Sequence, residues 1–220
     1  TSWGLSTRTI GGLIMTHGDN NGLVLPPRIA PVQVVVLPIA AHKPGVTERA
    51  QEVVSRLKAA GLRVKGDFSD NSPGWKFAEW EMKGVPLRIE LGPRDIEAGV
   101  CLAARRDSGE KVTVPLSELE TRVPALLEDV QNGLFEKAKR NLAEHTYTAE
   151  TVEEVRDIIE NRGGGFVKTM WCGDEACELK MKELAGVSSR CIPFEQEHVG
   201  RVCPICGKPT DTMIIWGVAY

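Results

Sequence analysis

At 220 residues, the chain has room for one large or two small domains. Its 42% hydrophobic and 26% charged residues are ordinary for a soluble globular protein and exclude disordered and collagen-like classes. A net charge of −3 gives no general attraction to nucleic acid, so any RNA recognition must come from a local cluster or from another part of the protein.

Thr1-Ser2-Trp3-Gly4 reads as the middle of a domain, and the chain is expected to be a piece of something longer. Residues 1–30 are glycine-rich, with an apolar patch at 10–15 that suits a helix or a strand packed inside a larger domain. The block ends in Leu23-Val24-Leu25-Pro26-Pro27, where the proline pair forces extended or turn backbone. Residues 32–39 are a short β-branched apolar run that suits a buried strand. Thr47 is expected to cap a helix reaching residue 60, with Val53, Val54 and Leu57 on one face and Gly61 as its stop. A strand at 62–65, a turn at 70–74, a helix at 75–82 and a strand at 85–91 follow. Residues 100–104 and 111–114 look like a closing hairpin, and 116–144 like a long amphipathic helical region that Pro124 and Gly133 could break. Strand, helix, strand, helix, strand at this spacing predicts an α/β sheet with helical crossovers. A third block opens near Thr148 with a helix at 151–161, a triple-glycine turn at 163–165, and strands at 166–171 and 213–216. No apolar run approaches the length needed to cross a bilayer.

Four thiols come as two close pairs, Cys172/Cys177 and Cys203/Cys206. Two short loops that each present a thiolate pair satisfy tetrahedral zinc with little chain strain. Two disulfides, or small buried hydrophobes, are the alternatives; no secretory segment is visible to favour the disulfides. With all four positions filled by protein, such a metal holds a fold and does not activate water. Cys191 and His198 are spare ligands, disfavoured because close pairs lose less chain entropy on closing. Cys101 reads as a buried small hydrophobe, and His17 as structural.

Ser2-Trp3-Gly4-Leu5-Ser6-Thr7-Arg8, with Gly18-Asp19-Asn20-Asn21-Gly22-Leu23-Val24-Leu25-Pro26-Pro27-Arg28, resembles the third conserved motif of class II prolyl-tRNA synthetases. The stretch from Phe68-Ser69-Asp70 to Arg94-Asp95, including Pro73-Gly74-Trp75-Lys76-Phe77, resembles that family's anticodon-binding domain. The cysteine pairs resemble the zinc domain of its archaeal/eukaryote-like branch. The three motifs stand in family order over essentially the whole chain.

The resemblance implies three parts: the end of a class II catalytic domain (1–30), an anticodon-binding domain with a mixed sheet flanked by helices (31–145), and a small α+β zinc-binding domain (146–220). It implies a cytoplasmic ligase that joins L-proline to tRNA(Pro) through prolyl-adenylate, using ATP and Mg2+, and dimerises through its catalytic domain. Ser6 and Arg8 would contact ATP; a guanidinium can stack on adenine or fork onto phosphate. Trp3 and Gly4 would line the proline pocket, and the carboxylate of Tyr220 would point back toward the catalytic domain. The family's anticodon-contacting positions fall on Phe77, Glu81, Arg88, Arg94 and Asp95, with Arg94 where lysine is frequent. Two acids, two arginines and one aromatic suit guanine: carboxylates accept from its N–H groups, arginine forks onto O6 and N7, and a ring stacks on the base. On residue type alone these charges read equally as surface ion pairs. A non-enzymatic RNA-binding or regulatory module reusing the anticodon-binding domain is the alternative, although such a module has no need of an ATP-contacting arginine.

Overall fold

The computed structural model describes residues 4–219, and the chain divides into two units, Thr1–Ala138 and Lys139–Tyr220. In the first, the β-branched run becomes β1 (Val34–Pro38), buried at every residue. It lies between β2 (Val64–Gly66) and β3 (Leu87–Leu91), parallel to both. The hairpin of β4 (Val100–Arg105) and β5 (Lys111–Pro115) extends the sheet antiparallel, giving the order β2-β1-β3-β4-β5. This is a mixed sheet flanked by helices. Helix α1 (Arg8–His17) comes before β1; α2 (Val46–Ala59) and α3 (Pro73–Met82) form the crossovers; α4 (Pro93–Glu97) follows β3, and α5 (Leu119–Glu144) follows β5.

Alternation along the strands assigns the two faces of the sheet. Val34, Val36, Leu87, Ile89 and Leu91 pack with Ala50, Val53 and Leu57 of α2 and with Leu119, Val123 and Leu127 of α5. Val35 and Leu37 point the other way, onto Trp80 and Phe77 of α3. Each large side chain fully buried here contributes about 1.5–3 kcal/mol. Residues 88 and 90 of β3 share the α3 face, and they are Arg and Glu rather than apolar.

Several local expectations are corrected. Thr47 does not cap α2: Gly45, in the left-handed region at φ 81°, is the N-cap, and the Thr47 hydroxyl donates to the Ala41 carbonyl at 3.3 Å. Helix α3 begins two residues earlier than expected, because Pro73 suits a first helical position and the Ser72 hydroxyl accepts from the Trp75 amide at 3.4 Å. Helix α4 was not anticipated. Neither Pro124 nor Gly133 breaks α5. An interior proline costs about 3 kcal/mol, less than the combined burial of Leu119, Val123, Leu126, Leu127, Val130 and Leu134 along the same face.

Residues 18–25 are fastened to the end of α3. The Leu23 and Leu25 amides donate to the Met82 and Gly84 carbonyls at 3.0 and 3.2 Å. This approach requires glycine on both sides. A Cβ at Gly22 would lie 2.6 Å from the Met82 oxygen and one at Gly84 2.6 Å from Leu23, and both have positive φ.

The second unit is a four-stranded sheet in the order β6-β7-β9-β8, from β6 (Thr146–Thr148), β7 (Phe166–Met170), β8 (Ser188–Cys191) and β9 (Met213–Gly217). Helices α6 (Val152–Asn161) and α7 (Glu175–Ala185) close its core around Trp216, Met181, Ile158 and Val167. Helix α6 carries a capping box, with Thr151 accepting from the Glu154 amide and Glu154 from the Thr151 amide. Helix α7 and strands β6 and β8 were not anticipated. Among the described residues, no helix is long and apolar enough to cross a membrane.

Candidate nucleic-acid interface and metal centre

Arg88 projects from β3 onto the α3 face, and its guanidinium lies 4.3 Å from the centre of the Phe77 ring. Its Nε and Nη2 both donate to Oε1 of Glu90, at 3.1 and 3.0 Å, and Lys111 Nζ donates to Oε2 at 3.3 Å. The register explains the meeting. Arg88 pairs with Ala104 and Ala104 with Lys111, so the three form one row across β3, β4 and β5. The small Ala104 in the middle leaves a hollow.

That hollow is a cavity of about 180 Å³ lined by Trp80, Glu81, Val85, Arg88, Ala104, Arg105, Arg106, Gly109 and Lys111. Its four cations are matched to carboxylates. Arg105 forks onto Asp107 at 3.0 and 2.8 Å, and Arg106 onto Asp19 at 2.7 and 2.6 Å. The Arg106 hydrogen bonds hold the Asp19 carboxyl down to about 2. Glu81 accepts from the Asn21 side chain at 3.1 Å through Oε1; its Oε2 accepts no hydrogen bond among the described residues.

Of the five expected anticodon-contacting residues, Glu81 and Arg88 line this cavity, and Phe77 lies against the Arg88 guanidinium. Arg94 and Asp95 stand on α4, beyond the far end of β3. Arg94 is exposed, and Asp95 Oδ2 accepts from the Gly92 amide at 2.8 Å, fastening the start of α4. Trp80, Arg105, Arg106 and Lys111 were not anticipated. Trp80 neighbours Glu81 on α3, whereas Arg105, Arg106 and Lys111 approach it only through the pairing of β3, β4 and β5, which no local spacing announces.

Helix α3 is held by a buried network. The Trp80 indole N–H donates to Asp67 Oδ2 at 2.7 Å, the Ser69 hydroxyl to Oδ1 at 2.6 Å, and Lys76 Nζ to the Asp67 main-chain oxygen at 3.2 Å. Lys65 and Lys83 lie over the Trp80 ring at 5.1 and 4.7 Å.

In residues 4–30, Arg8 opens α1 and is exposed; its amide donates to the Ser6 hydroxyl oxygen at 3.4 Å. Ile10, Ile14 and Met15 on the same helix are also exposed. Gly4 is exposed. Trp3 and Tyr220, expected at the proline pocket and at an active-site-directed end, lie outside the described residues.

The four paired thiols meet in the second unit. All four sulfurs lie within 4.8 Å of one another, and Cys206 Sγ is 3.7 Å from Cys172 Sγ. A disulfide needs about 2.05 Å, whereas four sulfurs about 2.3 Å from a tetrahedral metal stand about 3.8 Å apart. The donor set therefore fits a tetrahedral thiophilic ion. Cys172 follows β7, and Cys177 sits in the first turn of α7, where the Asp174 carboxylate caps the Ala176 amide at 2.9 Å. Cys203 and Cys206 come from a tight turn closed by the Gly207 amide on the Cys203 carbonyl at 2.9 Å, with Gly207 at φ 70°. Burial pushes the Cys203 thiol up, but the Cys206, Ile205 and Cys172 amides aimed at it prevail and bring it down to about 7. Cys191, on β8, and His198 are outside the cluster, and Cys101 is wholly buried in the first unit's core.

Known proteins bear closely on both sites. Residues 33–126 match the anticodon binding domain family, and residues 152–220 match the family described as prolyl-tRNA synthetase, C-terminal. Over all 220 residues the chain is 55% identical to the proline--tRNA ligase of Clostridium novyi and 56% identical to proline--tRNA ligase 2 of Bacillus cereus. It spans 46% of the length of each, about half. A crystal structure of prolyl-tRNA synthetase from Cryptosporidium parvum, complexed with L-proline and AMP, superposes on 99% of the chain and on 47% of its own length, with a TM-score of 0.92 and 43% identity.

Proposed function

Because residues 33–126 belong to the anticodon binding domain family and residues 152–220 to the prolyl-tRNA synthetase C-terminal family, we propose that this chain is the tRNA-reading part of a proline--tRNA ligase. The whole enzyme activates L-proline with ATP and Mg2+ and transfers it to tRNA(Pro), working as a dimer through its catalytic part. One observation carries the RNA-reading assignment: Arg88 and Glu81 line one cavity, and the Phe77 ring lies against the Arg88 guanidinium. Proline anticodons share two guanines. Arg88 supplies donors for O6 and N7, Glu81 Oε2 accepts from the guanine N–H groups, and Phe77 offers a stacking face. Arg94 and Asp95, at the other end of β3, serve a neighbouring nucleotide of the same extended strand.

Ser6 and Arg8 belong to the ATP side. A cation in the first turn of a helix opposes the helix dipole, so an anionic ligand beside Arg8 is favoured. Activation needs no general base from this segment, since the proline carboxylate itself attacks the α-phosphate; Arg8 positions ATP and offsets charge. Trp3 and Gly4 border the proline pocket in this scheme. Cys172, Cys177, Cys203 and Cys206 hold zinc, whose role is to hold the second unit folded.

ATP–pyrophosphate exchange tests the ligase assignment. The full-length protein is expected to exchange in the presence of proline and of no other amino acid, and the 220-residue chain alone to give no exchange. Exchange driven by a different amino acid, or by the chain alone, would contradict it.

A further inference from the structure

We infer that Glu90 is a positioning residue that fixes which edge of Arg88 faces the cavity and thereby makes Arg88 select guanine; this rests on the cavity being an anticodon-base site. A guanidinium has two edges able to fork. The side edge runs along Nε and Nη2, and the end edge along Nη1 and Nη2. Oε1 of Glu90 takes the whole side edge, with Nε at 3.1 Å and Nη2 at 3.0 Å. Only the end edge remains for a ligand, and a fork of two parallel N–H groups matches the O6/N7 acceptor pair of guanine. Adenine presents an N–H donor where guanine presents O6, so the same fork rejects it.

Glu90 is itself held. It is only 8% exposed, its Oε2 accepts from Lys111 at 3.3 Å, and the Phe77 ring lies against the guanidinium it grips. One carboxylate is thus shared by two cations, each of which holds one of its oxygens in place. Without Glu90, Arg88 keeps its charge and its ring contact but can turn either edge to the base. Attraction persists and discrimination falls.

The test uses the full-length protein and compares kcat/KM for charging tRNA(Pro) with that for tRNA(Pro) carrying adenine at each anticodon guanine. Glu90→Ala is expected to lower the guanine preference about tenfold at one anticodon position, the scale of one bidentate base contact. Glu90→Gln, which keeps the shape and one acceptor oxygen, is expected to fall in between and supplies the test if the alanine variant folds poorly. Proline-dependent ATP–pyrophosphate exchange stays at the wild-type rate in both. In an Arg88→Ala background, Glu90→Gln is expected to add nothing, because it acts only through Arg88. Wild-type discrimination in both Glu90 variants, or a full Glu90 effect without Arg88, would overturn the inference while leaving the anticodon site intact. Wild-type discrimination in Arg88→Ala alone would overturn the anticodon site, and the role of Glu90 with it.

Discussion

Cys203→Ser is expected to release the metal and lower the thermal midpoint of the second unit by more than about 10 °C. A unit of this size has a core that is only marginally sufficient by itself. The turn carrying Cys203 and Cys206 is pinned mainly by its own short hydrogen bonds, Cys203 N–H to the Lys208 carbonyl and Gly207 N–H to the Cys203 carbonyl, both at 2.9 Å. A structural zinc contributes about 10–16 kcal/mol in small zinc-dependent folds, so removing one buried ligand outweighs any repacking. Chelation of the wild-type protein is expected to produce the same loss, and Cys191→Ser none, since Cys191 stands outside the cluster. Calorimetry with metal analysis reads both quantities. Less than about half a metal ion per native chain, or an unshifted midpoint in Cys203→Ser, would remove the metal from the account.

Asp67→Ala is expected to destabilise the first unit by about 3–5 kcal/mol, the scale for leaving a buried charge uncompensated. Asp67 ties the end of β2 to α3. Its carboxylate accepts from the Trp80 indole and the Ser69 hydroxyl, and the ammonium of Lys76, itself 4% exposed, lies 3.9 Å away. Deleting it strands Lys76 and the indole N–H together. Under the proposed function, in which Phe77 and Glu81 of α3 contact the anticodon, charging of tRNA(Pro) is expected to fall with the helix. Asp67→Asn, which keeps one acceptor but no charge, is expected to lose roughly half as much. Burial pushes the Asp67 carboxyl up, but the Ser69 and Trp80 hydrogen bonds and the Lys76 charge hold it below the usual range. A depressed carboxyl stabilises the fold above the unfolded value of about 4, and that stability is lost as the pH falls through the folded value. The wild-type advantage over Asp67→Asn in urea unfolding is therefore expected to be constant near neutrality and to shrink below about pH 4. Equal stability of the wild type and Asp67→Ala would sink this picture of α3.

The parts legible in the sequence were those written in short-range pattern. Val34 to Leu37 announced a strand buried on both faces because no polar residue interrupts it. The acidic first turn at Glu153 and Glu154 marks the start of α6, and the cysteine quartet is legible because each pair is local. Helix α7 is hidden because the spacing of the first thiol pair suggests only a loop, although Glu175 to Ala185 is rich in helix formers. Strands β6 and β8 are short and polar, and only their partners make them strands. Pro124 marks no boundary, since the buried face of α5 runs straight past it. The cavity was half legible. The family resemblance pointed to Phe77, Glu81 and Arg88, but Arg106 reaches Asp19 across 87 positions and Lys111 reaches Glu90 across 21. The first follows from the docking of residues 18–25 on the end of α3 and the second from strand register, and neither leaves a trace in spacing.

Whether this chain reads the guanines of a proline anticodon for a proline-joining enzyme is decided by the kcat/KM with which the full-length wild-type protein charges tRNA(Pro), set against the same tRNA with both anticodon guanines changed to adenine. At about 1–3 kcal/mol for each misread base, the altered tRNA is expected to be charged at least about 30-fold less efficiently. Equal charging of the two would contradict the account.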